Sequence, residues 1–211
     1  MHIAIIGSGN VGAALGKGWL NAGHQVIFGV RNPQSEKTKK ITGHDFLLNT
    51  IADAIVQSDV IVIATPPEAI HDLIPYLINP GEKVIIDTTN SFRSKPEGYA
   101  TAYHAIQALT NAKNLVKCFN STGFENMANP HYHLNEPVPH DVCLDMYTAG
   151  NSEYAKMICN ELAKDLGFAN CYNFGGDDKV LLLEQFALCW INLAIMQGQG
   201  RNIGFKLIRR D

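Results

Sequence analysis

The sequence predicts an α/β protein built on a doubly wound, mainly parallel sheet, with a small helical part at its C-terminal end. Three observations lead there. Short β-branched runs alternate with helical patterns along the chain. The runs are apolar throughout rather than at every second residue, as in strands covered on both faces. A glycine turn, Gly7-Ser8-Gly9-Asn10-Val11-Gly12, follows the first run and opens the first helical pattern.

The elements follow in order. Strands are expected at 3–6, 25–29, 60–64, 83–87 and 115–119, a weaker one around 142–147 and a further one at 46–48. Helices are expected at 10–21, 51–57, 68–76, 100–110, 153–166 and 179–197. Asn79-Pro80-Gly81 is a turn signal ahead of the 83–87 strand. At 211 residues the chain exceeds one typical domain and falls short of two, so residues 1–150 are assigned to a nucleotide-binding domain and 151–211 to a C-terminal part.

Composition narrows the function. With 46% apolar residues a substantial core is available, and a net charge of -3 gives no basic face for nucleic acid. The short basic runs at Lys37, Lys39 and Lys40 and at Arg209 and Arg210 read as solvated surface. No charged segment leading into an apolar one marks a secretory signal in MHIAIIGSGN, so a cytoplasmic location is expected. The run 180–196, VLLLEQFALCWINLAIM, is shorter than a span of about 20 residues and carries Glu184, Gln185 and Asn192. It reads as a buried helix, no membrane is expected, and its surplus apolar surface predicts a homodimer contact. The five cysteines form no CxxC pair and read as buried free thiols. His131, His133 and His140 share a stretch with Pro130, Pro137 and Pro139; without a partnering acid they read as polar loop chemistry, and no metal is expected.

Chemistry belongs on the rim formed by the carboxyl ends of the parallel strands. There Gly7 permits the tight turn, Gly9 lets backbone approach a pyrophosphate and Gly12 lets the helix pack on its strand, the Rossmann, NAD(P)-binding arrangement. The amides at the helix start then face the phosphates. NAD-selective sites place a carboxylate at the end of the second strand. Here that strand ends Val30-Arg31-Asn32-Pro33, with no acid before Glu36. Arg31 offers a planar fork to a 2′-phosphate, and Asn32 and Lys37 complete the candidate set, so NADP(H) is the expected cofactor.

Further along the rim stand Thr65-Pro66-Pro67, a stiff corner that either walls the nicotinamide or simply starts a helix. Asp87-Thr88-Thr89-Asn90-Ser91 and Phe119-Asn120-Ser121-Thr122-Gly123-Phe124 bring amides and hydroxyls that suit a ribose and a carboxamide. No GxSxG, HExxH or sugar-hydrolysing acid pair occurs. A carbonyl reductase wants a proton donor; Lys95, Lys117 and the histidines are candidates that no spacing singles out. Hydride transfer to a flavin-like ring asks less, since that ring delocalises charge and takes its proton from solvent.

In their order, IAIIGSGNVG, VIFGVRNP, DVIVIATPPEAI, VIIDTTN, VKCFNSTGFEN and the tail LLLEQFALCWINLAIMQGQGRNIGFKLIRR resemble the NADPH-dependent reductases of the deazaflavin coenzyme F420. The nucleotide-binding domain of the STEAP metalloreductases is similar too. The resemblance implies a homodimer exchanging hydride directly between NADP(H) and F420 or a flavin, a small-molecule acceptor. It implies that Ser8, Gly9, Asn10 and Val11 hold the pyrophosphate and Arg31 the 2′-phosphate. Thr65, Pro66, Pro67, Asn120 and Phe124 would approach the nicotinamide, with Ile203 closing over it. The second ring is expected near Gly175, Gly176, Asp177 and Asp178, where the chain departs from the family's usual run. Two other readings stand beside this one. A reductase of small imines or carbonyls shares the nucleotide domain but builds its substrate site with a large helical domain; a non-catalytic NADP(H) sensor needs no acceptor site.

Overall fold

Strands whose residues are all apolar can only be stable where both faces are covered, and the sheet is built that way. The structure, a computed structural model, describes residues 1–35, 46–134 and 140–210. Among them, β1 (His2–Ile6), β2 (Gln25–Val30), β3 (Leu47–Thr50), β4 (Val60–Ile63), β5 (Val84–Asp87) and β6 (Asn114–Cys118) pair in parallel, in the order β3-β2-β1-β4-β5-β6. β9 (Met146–Ala149) then runs antiparallel to β6, and β10 (Cys171–Asn173) parallel to β9.

Alternation along β1 sends residues to two cores. Ile3 and Ile5 meet Leu15 and Trp19 of α1 (Asn10–Asn21) and Leu162 of α6 (Glu153–Asp165), the layer that also holds α5 (Phe124–Ala128). Ala4 and Ile6 meet Ala54 of α2 (Ile51–Val56), Leu73 of α3 (Ile70–Leu77), Ile106 of α4 (Ala102–Leu109) and Leu183 of α7 (Val180–Ile191). Three helices start on hydroxyl caps: the side chains of Thr50, Thr101 and Ser152 accept the amides of Asp53, His104 and Ala155. α1 has no such cap. Between β1 and β4 the strand order reverses, which opens a crevice above the glycine turn.

Several local expectations change. The weak strand at 142–147 divides. Its first half, β8 (His140–Cys143), pairs with β7 (His131–Leu134) in a separate ribbon, and its second half is β9. The break falls at Asp145, a buried carboxylate that accepts the amide of Leu207 at 2.8 Å and Nδ2 of Asn170 at 2.9 Å. Satisfying that charge draws in groups from outside the ladder, so the strand cannot run on. The histidine stretch is therefore a ribbon rather than a loop. His133 does face an acid, with Nδ1 2.9 Å from Asp141 Oδ1, and His131 Nδ1 lies 3.0 Å from Cys143 Sγ. Even so, among the described residues no three metal-binding side chains converge.

The last helical pattern is also revised. A 3-10 turn (Asp177–Lys179), α7 and a π-helical turn (Asn192–Met196) run on from one another, and only one face is buried. Val180, Leu183, Glu184, Ala187 and Trp190 pack inward, whereas Leu182, Leu193, Ile195 and Met196 are exposed, the last at 72%. By length and composition alone the stretch Asp177–Met196 could cross a membrane; a third of its most apolar window is packed inside the protein. The buried-thiol reading holds for Cys118 and Cys159, whose thiols burial pushes up, but Cys189 is exposed.

Candidate active site

At the head of α1 the backbone leaves no room for side chains where it turns. Gly7 has φ +115°, and a Cβ there would stand 2.5 Å from the carbonyl oxygen of Ala64; at Gly12 a Cβ would overlap the carbonyl oxygen of Gly7. Gly9 is different. It is extended, and nothing lies within 4 Å of where its Cβ would be. Without a capping side chain, the amides of the first turn of α1 lack intrahelical partners beside that open space. This is an anion cradle made of backbone.

At the end of β2, Val30 is buried and Arg31 is exposed, forming no ion pair among the described residues. Asn32 is occupied otherwise: its Oδ1 accepts the amide of Gln34 at 3.0 Å, so its side chain shapes the turn. Lys37 lies outside the described residues. After β4, Thr65 keeps a buried hydroxyl with no partner, and Pro66 and Pro67 lead into a 3-10 turn (Pro67–Ala69).

The ends of β5 and β6 are joined by an amide pair. Asn120 Nδ2 donates to Asn90 Oδ1, and Asn90 Nδ2 to the Asn120 carbonyl, both at 2.9 Å. Asn120 Oδ1 is buried and unpartnered. The residue before it, Phe119, adopts φ +59°, a conformation costing a non-glycine residue about 1–3 kcal/mol. Its fully buried ring is held edge-on to Trp19, with centroids 5.4 Å apart.

Beneath that pair sits a buried ionic triad. Lys117 Nζ lies 2.8 Å from Asp87 Oδ2 and 2.6 Å from Glu184 Oε1. The remaining oxygens are used as well: Asp87 Oδ1 accepts the Thr89 amide at 2.9 Å and Glu184 Oε2 the Ser91 amide at 2.7 Å. β5, β6 and α7 are thus tied below the rim. Lys117, a candidate proton donor in the sequence, is fully buried and committed to this triad.

Beside the amide pair opens a cleft of about 340 Å³. It brings together four expected residues, Val11, Asn90, Asn120 and Phe124. It also uses Phe92 and Arg93, which nothing in the sequence marked, and Trp190, Ile191, Ile195 and Arg201, which lie in the quoted tail but were given no role there. Arg201 is held three ways. Its guanidinium lies 5.1 Å from the centre of the Phe124 ring and 5.4 Å from that of Trp190, and both Nε and Nη2 bond the Glu125 carboxylate. Burial raises the Glu125 carboxyl, but the bonds from Arg201 and the backbone outweigh it and hold it below the usual range.

Ile203 has a structural part through its backbone. Its carbonyl accepts Trp190 Nε1 at 2.7 Å and Asn126 Nδ2 at 2.6 Å, anchoring the tail, and the cleft wall is formed by Ile195 and Arg201 instead. Thr65 stands with its backbone beside Gly7, and neither it nor Pro66 and Pro67 is among the described residues that line the cleft. The segment 175–178 is also elsewhere. Asp177 is bound by Tyr103, Gln107 and Asn151 at the start of α7, whereas the cleft is lined by the last turns of that helix.

A parallel sheet with this strand order, a glycine turn at its switch point and an amide-lined cleft at its carboxyl edge define a dinucleotide-binding protein of the Rossmann type. Residues 2–91 are similar to the family described as NADP oxidoreductase, coenzyme F420-dependent. The fold as a whole is similar to that of an Arthrobacter sp. FB24 protein provisionally named an F420-dependent NADP-reductase, with TM-score 0.81 and 22% identity over 99% of this chain and 100% of that one. Protein SMa0349 of Sinorhizobium meliloti is similar at TM-score 0.67 and 24% identity, over 83% of this chain and 85% of that one. A reductive aminase from Aspergillus terreus, solved with NADPH and ethyl-5-oxohexanoate, gives TM-score 0.60 and 17% identity; 93% of this chain spans 60% of that enzyme.

Proposed function

We propose that this chain is an NADP(H)-dependent oxidoreductase that passes hydride between NADPH and a flat-ringed acceptor, a flavin or the deazaflavin F420. The observation that carries the reading is the make-up of the cleft: its only ionisable lining residues, among those described, are Arg93 and Arg201. A guanidinium does not give up its proton in a protein. The cleft therefore suits a substrate needing no protein acid, which a delocalised ring is and a ketone is not.

The residues present fit the cofactor. The open backbone at Gly9 and the amides of Ser8, Asn10 and Val11 would hold the pyrophosphate, and Arg31 the 2′-phosphate. Of the three orphaned buried oxygens among the described residues, on Thr65, Thr89 and Asn120, those of Thr65 and Asn120 would serve the nicotinamide end. When bound, NADPH supplies two electrons and a proton together as hydride, and water supplies the second proton that the reduced acceptor takes. The protein's part is to hold two rings in proximity and keep water from between them.

We place the enzyme in the cytoplasm as a homodimer whose contact is the exposed face of α7 and its π-helical turn; a monomeric mass by light scattering at micromolar protein would remove that contact. Loss of NADPH absorbance with a panel of F420, FMN, FAD, small imines and small ketones tests the reaction. Turnover with a ring compound and not with ketones is expected. Turnover with imines alone would establish the second reading, which the fold shared with the reductive aminase favours. NADPH binding without turnover would leave a sensor.

A further inference from the structure

Resting on that reading, we propose that Arg93 recognises an anionic group on the acceptor: the ring lies along the α7 wall of the cleft while a phosphate or carboxylate on its side chain pairs with the Arg93 guanidinium. The two arginines of the cleft differ in how their charge is met. Arg201 is neutralised by Glu125 and stacked on Phe124 and Trp190. Arg93 is exposed and has neither an ion pair nor a hydrogen bond among the described residues. Among the described residues, no carboxylate lines the cleft to balance it.

One positive charge is thus left over beside a wall of Trp190, Ile191 and Ile195. An apolar wall with a single unmatched guanidinium suits a molecule with a flat apolar body and an anionic tail. The cofactor's own phosphates have a separate place, at the backbone cradle of α1 and at Arg31 on the far side of the glycine turn. Arg93 instead follows Asn90 by three residues in the loop after β5 and lines the cleft with the amide pair.

The chain has two tryptophans. Trp19 is fully buried in the core and Trp190 lines the cleft, so quenching of tryptophan fluorescence reports occupancy of the α7 wall without any turnover. The NADP⁺-loaded protein is titrated with FMN and with riboflavin, which share a ring and differ by the phosphate. F420 and its ring compound bearing only an uncharged ribityl chain form the matching deazaflavin pair. The phosphorylated member of at least one pair should half-quench at about tenfold lower concentration, the worth of one charged hydrogen bond at an exposed site. The pair that shows this identifies the source of the anion. Arg93→Ala should bring that member to the level of its uncharged counterpart, and Arg93→Lys should restore part of the difference.

Equal affinities within both pairs, no quenching at all, or an Arg93→Ala variant that loses NADP⁺ affinity rather than acceptor affinity would each overturn the assignment. Failure of the hydride reading looks different: ring compounds would quench with the phosphate preference intact, yet NADPH would not be oxidised.

Discussion

The glycine turn and the cleft, two parts of the same rim, are built by different means. At the glycine turn the surface is backbone, and its steric requirements lie within six consecutive residues, Gly7 to Gly12. At the cleft it is side chains from five separate segments: the head of α1, the loop after β5, the turn after β6, the last turns of α7, and the tail. The first is fixed by what cannot be added to it. The second is fixed by what supports it from below, above all Lys117. A backbone site is therefore sensitive to single atoms, and an assembled site to the loss of a distant tie.

The largest expected effect falls on that tie. Removing one member of a buried ion pair leaves its partner charged in a medium that solvates it poorly, at a cost of about 3–5 kcal/mol. Lys117→Met leaves Asp87 and Glu184 facing each other without a cation, so the unfolding free energy in denaturant should fall by about that much. A loss below about 1 kcal/mol would mean that the triad does not hold the cleft together.

The glycine turn is probed by two alanines two residues apart. Gly7→Ala places a Cβ against the Ala64 carbonyl at a left-handed φ and should lower stability by about 2–3 kcal/mol. Gly9→Ala meets nothing and should stay within about 0.5 kcal/mol of the parent in thermal unfolding. It should nonetheless bind NADPH more weakly by calorimetry, because the added methyl occupies the open space beside the amides of α1. If both variants lose stability alike, the space above Gly9 is not the cradle it is taken for.

Next in size is Arg31. Its hydrogen bonds to a 2′-phosphate would be worth about 1.5–3 kcal/mol each, so Arg31→Ala should raise the Michaelis constant for NADPH about ten- to hundredfold more than that for NADH. Equal rises would show that the end of β2 does not read the phosphate.

These contrasts explain what could be seen in the sequence. β1, β4 and β5 are short apolar runs whose type and burial follow from residue character alone, and the glycine turn is a local motif. α7 is apolar nearly all round, with its one acid, Glu184, on the buried face, so no polar stripe says which face packs, and Trp190 could not be placed on the cleft before the sheet was assembled. β10 has three residues and exists through its pairing with β9, and β7 was hidden among histidines and prolines. Ile203 was noticed, but for its side chain rather than its carbonyl. Nothing in the linear order brings Arg201 to Glu125, 76 residues away.

That last pair gives the smallest effect. The Glu125 carboxyl is held below its ordinary value near 4.5, so the ionised pair adds stability above that pH and loses it as pH falls through the depressed folded value. Both side chains are partly exposed, at 27% for Glu125 and 41% for Arg201, which limits the contribution to about 0.2–1 kcal/mol. Because the ion pair positions the tail over Trp190, the change should appear locally, as a shift in Trp190 emission below about pH 4.5 at temperatures where the sheet stays folded. Arg201→Ala should abolish the acid-dependent step while leaving the emission of buried Trp19 in place. An identical acid transition in parent and variant would assign it to other carboxylates and leave the tail anchored by the Ile203 carbonyl alone.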